Sequence, residues 1–417
     1  MADSSVNQVA EQHVHVSSEL KRRAYAFKAV LASTVGYAMD GFDLLVLGFI
    51  LNAVAGDLGL TTSEAGALVT WTLIGAVAGG LLFGALSDYY GRVKVLTWSI
   101  VLFAIATGLC ALAQGYWDIL IYRTVAGIGL GGEFGIGMAL AAESCRPSER
   151  ARMSSYVGLG WQAGVLAAAL LTPLLLPYIG WRGMFAIGAL PALASFVIRL
   201  FVREPEIFTE KRKTPRAGNP FKALIANQET FKASIGISVL TSVQNFGYYG
   251  IMVWMPSYLS SQFHYSLTKS AMWTAVTVVG MATGICLFGH LADRFGRRPV
   301  FLTYQVLAAL MVVVYSQLTD PMMLLIGGAI MGMFVNGMMG GYGALISEIY
   351  PTEARATAQN VLFNIGRGIG SFGPVAVSLV VSLYSFPVAI AMLALLYVLD
   401  ILATLFLIPE KAGQTLE

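Results

Sequence analysis

Charge is the scarcest thing in this chain. Only 12% of its 417 residues are Asp, Glu, Lys or Arg, against roughly a quarter in an ordinary soluble domain. Cysteine is rare too: Cys110, Cys145 and Cys286 are odd in number and widely scattered, which excludes a disulfide framework or a metal-ligand set. Two of the four histidines, His13 and His15, lie in a polar leader. There is no Walker sequence, no nucleophile with its base and no His/Cys/Asp/Glu group at metal-binding spacing. Nothing therefore points to an enzyme, a metal or a cofactor. The basic residues occupy loops, so the net charge of +3 suggests no nucleic-acid partner. Residues 1–23 lack the apolar core of a cleavable signal peptide, so the first apolar stretch is expected to act as its own insertion signal.

What the chain has in quantity is apolar sequence, 57% of the total. It comes in stretches of about 20 residues, the length of a bilayer-crossing helix. Hydropathy predicts twelve spans, near 29–52, 65–87, 95–114, 117–141, 154–177 and 182–202, then 233–260, 270–291, 299–318, 322–346, 357–381 and 386–408. The fold class expected is an all-α membrane protein. A cytoplasmic tail (1–23) precedes a six-helix bundle (24–202), a cytoplasmic linker (203–232), a second six-helix bundle (233–408) and a short tail (409–417). With the N-terminus inside, only Arg182 and Lys269 fall outside, while Arg123 and Arg367 fall within spans. The positive-inside rule then puts both termini in the cytoplasm.

The halves are related. FGALSDYYGRVKV after the second span carries Gly84, Asp88, Gly91 and Arg92, and FGHLADRFGRRPV after the eighth carries Gly289, Asp293, Gly296 and Arg297. The offset is 205 residues, close to half the chain. So long a period implies two duplicated halves rather than a solenoid. The glycine-rich GIGLGGEFGIG of span 4 follows no strand; it reads as close helix packing, not phosphate binding.

Charges inside spans carry the functional argument. Each costs at least about 2.5–3.5 kcal/mol at the bilayer centre, so each needs a partner or a wet cavity. At about 1.5 Å per residue, Asp40 and Asp43 lie roughly 17 and 21 Å from the inner face, and Arg123 about 21 Å. Asp43 and Arg123 therefore reach the same level. Arginine does not deprotonate in practice, so the carboxylates are the groups able to titrate. Glu133, about 6 Å from the inner face, is a candidate exit relay. Arg367, near the midplane, can grip both oxygens of a carboxylate, or else pair with Asp400 or backbone carbonyls. Polar and aromatic candidates for the same pocket are Gln244, Asn245, Tyr248, Tyr249, Asn336 and Tyr342, faced by Tyr37, Trp161 and Gln162. Asp400 reads as structural, and Glu348 is expected to close an inner gate by pairing with Arg355.

Taken together, the twelve spans, the duplicated G-x-L-x-D-x-x-G-R loop and the long linker resemble the major facilitator superfamily. Arg123-x-x-x-Gly127, Pro147-x-x-Arg150 and Pro351-x-x-x-Arg355 agree with it. Asp40-Gly41-Phe42-Asp43 and Asn364-Ile365-Gly366-Arg367 resemble the aromatic acid:proton symporters and their sialate and lactate-type neighbours. The resemblance implies two six-helix bundles rocking about a central site lined by spans 1 and 4, which predicts an Asp43–Arg123 pair, with the duplicated loops latching the bundles shut. It implies proton-coupled symport of a small organic anion by a monomer in the bacterial inner membrane, driven by the proton gradient with no cofactor. A proton-coupled sugar or polyol symporter and a proton-driven drug exporter are the alternatives.

Overall fold

The computed structural model describes residues 2–190, 202–211, 219–263 and 267–414, and these form helices. Residues 191–201 of the expected sixth span and Arg212, Lys213, Pro215 and Arg216 of the linker lie outside the described residues, as do the side chains of His13, His15 and Lys269. The first half comprises α1 (Ala2–Leu58), α2 (Thr62–Tyr90), α3 (Arg92–Cys110), α4 (Tyr116–Gly131), α5 (Glu133–Ser144) and α6 (Arg150–Gly188). Two short helices follow in the linker, α7 (Glu206–Lys211) and α8 (Pro220–Ala223). The second half runs through α9 (Gln228–Phe263), α10 (Leu267–Phe295), α11 (Arg297–Ser316), α12 (Pro321–Gly337), α13 (Tyr342–Ile349), α14 (Arg355–Gly370), α15 (Gly373–Leu383) and α16 (Phe386–Leu407).

Among the described residues ten helical stretches are long and apolar enough to cross a membrane. Their boundaries follow local chemistry. Thr61 caps α2 in a reciprocal box: its hydroxyl accepts from Glu64 N, and Glu64 Oε2 accepts from Thr61 N at 2.8 Å, closing two otherwise unpaired donors. Asp320 caps α12, accepting from Met322 N and Met323 N with Pro321 at the first helical position. Three expected spans are broken. Span 4 divides at Gly132 into α4 and α5, span 10 passes through a 3₁₀ turn at Met338–Gly340, and span 11 divides between α14 and α15. The fifth span and the start of the sixth run together as α6, reversing at Gly180 with φ of 63°.

Within the first half α1 packs on α6, and α4 on both α2 and α3. In the second half α9 packs on α14, α10 on α12, and α11 on α16. The halves meet where α2 and α5 touch α14 and where α6 touches α10. Both contacts depend on absent side chains. A Cβ on Gly84 would stand 3.0 Å from Asn360 Cβ, and one on Gly289 only 2.2 Å from Ser155 Oγ. Many large apolar groups point outward, such as Leu112, Trp117, Phe372 and Phe406, as expected of helices whose solvent is lipid.

Candidate functional site

Asp43 on α1 and Arg123 on α4 form the expected pair. Arg123 Nη1 donates to Asp43 Oδ1 at 3.0 Å and Nη2 to Oδ2 at 2.7 Å, a two-bond fork. Arg123 Nε donates to Thr72 Oγ1 at 3.3 Å, and the guanidinium lies 5.7 Å from the Phe185 ring centroid. With Arg123 wholly buried, its charge is matched by the carboxylate and its donors by the fork.

Asp40, one turn away on the same helix, does not share that arrangement. It is 1% exposed, and neither carboxylate oxygen has a hydrogen-bond partner among the described residues. The positive charge in its reach is Arg367 of α14, not Arg123. Arg367 in turn is surrounded by Tyr249, Tyr37 and Asp40. Its guanidinium lies 5.8 Å from the Trp161 ring and 5.3 Å from the Phe363 ring, and its Nε is unpartnered. Arg367 is thus held by aromatic faces from both halves, with hydrogen-bonding capacity left over. It does not pair with Asp400 among the described residues. Glu133 reaches further up than its backbone depth suggests. Its Oε2 abuts Gly36, one turn of α1 below Asp40, and the two acids interact.

Aromatic groups close the centre. Phe134 of α5 stacks on Phe363 of α14 with centroids 3.7 Å apart, Tyr37 lies 5.4 Å from Trp161, and Trp161 Nε1 donates to Tyr248 Oη at 3.1 Å. The amides expected to face the pocket divide. Gln162 is buried with neither amide atom partnered. Gln244 Nε2 instead donates to Asn336 Oδ1 at 2.5 Å, tying α9 to α12, while Asn245 Nδ2 bonds back to Thr241 O at 2.8 Å. Tyr342 donates its hydroxyl to Leu240 O at 3.0 Å. Gln244 and Tyr342 thus join helices of the second half and Asn245 bonds within its own helix, while Gln244 Oε1 is left without a partner among the described residues.

The duplicated loops make a second polar centre where the halves meet. Gly91 and Gly296 link α2 to α3 and α10 to α11 with φ of 120° and 96°, a region side chains rarely adopt. Each loop aspartate crosses to the opposite half. Asp88 accepts from Ala356 N, Thr357 N and Thr357 Oγ1 at the start of α14, the closest at 2.6 Å. Asp293 accepts from Ala151 N at 2.9 Å and Arg152 N at 3.0 Å at the start of α6. Helix N-termini favour carboxylates through their free amides. Arg92 pairs with Asp88 and with Glu143 Oε1 at 2.9 Å; Arg297 pairs with Asp293 at 2.9 Å and with Glu348 at 2.8 Å.

One expectation is overturned here. Glu348 does not pair with Arg355: it binds Arg297 and Arg150, whereas Arg355 Nη1 binds Glu143 Oε1 at 2.8 Å. The reason is geometric, since Arg150 and Arg355 each start a helix lying against the opposite half. Glu143 was missed and Arg150 was quoted only for its motif with Pro147, although applying the 205-residue offset to Glu348 and Arg355 points straight to both. Glu204 and Glu410 were also missed. Glu204 accepts from Arg92 N and Lys94 N at 2.8 and 3.0 Å, and Glu410 from Arg297 N and Arg298 N at 3.2 and 2.7 Å, capping α3 and α11. A Glu beside Pro just past each six-span set was the available signal.

Comparison with known proteins agrees with this geometry. The family model of the Major Facilitator Superfamily matches residues 33–280 and 237–416. A Haemophilus influenzae protein provisionally named as a metabolite transport protein is 64% identical over 95% of this chain and 99% of its own. The cis,cis-muconate transport protein of Acinetobacter baylyi is 30% identical, covering 85% and 87%; the sialic acid transporter NanX of Escherichia coli is 27% identical, covering 92% and 95%. The solved proton:xylose symporter XylE superposes with a TM-score of 0.79 at 21% identity, over 95% of this chain and 98% of that one. Spans, duplicated loops, family match and superposition coincide, and the chain belongs to the major facilitator superfamily, a multi-pass membrane transporter and not an enzyme.

Proposed function

We propose that the protein carries a small organic anion into the cell together with protons, by rocking residues 24–202 against 233–408. The observation that carries this reading is the setting of Arg367. Its guanidinium lies near aromatic rings from both halves, with an unpartnered Nε and the unpartnered Asp40 carboxyl within its reach. A substrate carboxylate can take the guanidinium in a forked contact, and the flat rings about it suit a small, planar acid. Relatives named for muconate and sialic acid support the substrate class.

Proton coupling follows from the acids. An ionised carboxylate with no donor is expensive to bury, so Asp40 gains a proton when Arg367 turns to substrate. Asp43 keeps Arg123 matched, and Glu133 receives the proton on its way to the inner face. The crossed loop contacts act as the cytoplasmic latch, with both termini and the linker (203–232) on that side of the bacterial inner membrane. The working unit is a monomer, and its energy source is the proton gradient alone.

The test is uptake into reconstituted vesicles, screening carboxylates with and without an imposed pH gradient. Arg367→Gln is expected to abolish carboxylate uptake in a folded carrier. Asp40→Asn combined with Asp43→Asn is expected to leave exchange but remove gradient-driven accumulation. Accumulation untouched by the double change would end the proton-coupling reading. Uptake of a neutral sugar that survives Arg367→Gln would end the organic-anion reading.

A further inference from the structure

The break in span 4 leaves an open amide that a side chain of the other half takes up. Helix α5 has Gly132 at its N-cap and Glu133 at its first position, and its ladder begins with Ile136 N donating to Gly132 O at 3.2 Å. The amides before Ile136 have no acceptor within α5, and Gly132 has no side chain with which to cap them. Asn360 of α14 supplies the acceptor: Gly135 N donates to its Oδ1 at 3.2 Å. Asn360 Nδ2 donates to Ala356 O, one turn back on its own helix, at 3.1 Å, which fixes the sense of the amide. Asn360 is wholly buried, and a Cβ on Gly135 would overlap its amide group.

The second half repeats the arrangement. The 205-residue offset carries Gly135 to Gly340 and Ser155 to Asn360. Gly340 ends the 3₁₀ turn that interrupts span 10, and Ser155 Oγ of α6 donates to its main-chain oxygen at 3.3 Å. Asn360 and Ser155 each stand one turn beyond the amides that Asp88 and Asp293 grip on the same two helices. Each broken span is thus met at its break by a side chain of the opposite half. Two related halves placing a partner at the same point mark the breaks as features of the seam, not of either helix alone.

We propose that Asn360 is a positioning residue: it caps α5 across the seam, so that the first turn of α5 is ordered while the halves meet here and loosened when they part. Glu133 rides on that turn, two residues before the capped amide, with its Oε2 against Gly36 of α1. Parting withdraws the acceptor, and a helix end without its cap frays. The cap does not depend on what is carried; its consequence for proton release rests on Glu133 acting as the relay.

The test is amide hydrogen exchange of the intact carrier in lipid vesicles, resolved at Gly135, beside uptake. Asn360→Leu keeps the bulk without the acceptor and is expected to speed exchange at Gly135 several-fold. Asn360→Asp keeps an acceptor and is expected to hold the native rate. Gly289→Val, which leaves the cap intact but props the halves apart, is expected to speed exchange as well. An unchanged rate in Asn360→Leu would overturn the cap. An unchanged rate in Gly289→Val would overturn its dependence on closure, even if neither Asn360 variant folds. In uptake, Asn360→Leu is expected to lose more gradient-driven accumulation than substrate exchange, and Asn360→Asp to recover it. Equal losses would overturn the positioning of Glu133. A native carrier that accumulates nothing under a pH gradient would instead refute the proton relay, with the amide rates still deciding the cap.

Discussion

Arg355 Nη1 and Glu143 Oε1 lie 2.8 Å apart across the two halves of the chain. Arg150 and Glu348, their counterparts at the 205-residue offset, cross in the opposite sense at 3.4 Å. All four side chains are almost fully buried, so each charge depends on its partner.

That dependence makes single and double substitutions differ. Glu143→Gln takes from the buried Arg355 and Arg92 a carboxylate that both hold, and breaking a buried pair of this kind typically costs about 3–5 kcal/mol. Adding Arg355→Gln removes one of the two arginine charges and is expected to recover part of the loss. Thermal unfolding in detergent measures both. Equal melting of the single and double variants would show that the two residues are not coupled.

Side chains added at the crossing points are expected to hold the loop end open. A Cβ at Gly289 meets Ala151 O at 2.8 Å as well as Ser155 Oγ at 2.2 Å, and only the hydroxyl can move aside easily. Overpacking of this kind costs about 1–3 kcal/mol. Gly289→Val should therefore lower the closed population by about 5- to 150-fold and slow transport, while the protein still folds. Unchanged transport rates would argue against closure at this contact.

Cys145 offers a direct reading of that closure. Burial pushes its thiol up to about 12, with Arg150 pulling the other way by a smaller amount. Below that value the thiol is protonated and unreactive. With Cys110 and Cys286 replaced by Ala, N-ethylmaleimide should label Cys145 slowly at neutral pH in the native background. Labelling should quicken in Gly289→Val, where water reaches the thiol. Equal rates in both backgrounds would contradict this.

The two caps past the six-span sets should contribute comparably. Removing a side-chain cap typically costs about 0.5–2 kcal/mol. Glu204→Ala and Glu410→Ala are each expected to lower the melting temperature without changing substrate preference. A shift in preference would mean that Glu204 or Glu410 reaches the central site.

The sequence made the apolar spans and the repeat legible because both are long and periodic. Asp43 and Arg123 share a level because a helix advances a fixed distance per residue, and the family resemblance, which lines one cavity with spans 1 and 4, predicts their pairing. The partners of Glu348 were not readable that way. Two acids and two arginines at one level allow several pairings, and only the packing of α6 on α10 and α2 on α14 selects the crossed one. Gln244, Asn245 and Asn336 sit at the level expected of a pocket, but depth does not reveal that Gln244 Nε2 donates to Asn336 Oδ1 and Asn245 Nδ2 to Thr241 O. Depth is written in residue number; azimuth depends on neighbours.

Asp88 and Asp293 each seize the first amides of a helix belonging to the other half, and each half both supplies and accepts one such grip. Freeing one side leaves the other still engaged, so separation rewards only the release of both. Such reciprocity makes opening abrupt rather than gradual. A half-parted carrier, open to both faces of the membrane at once, becomes a state seldom visited.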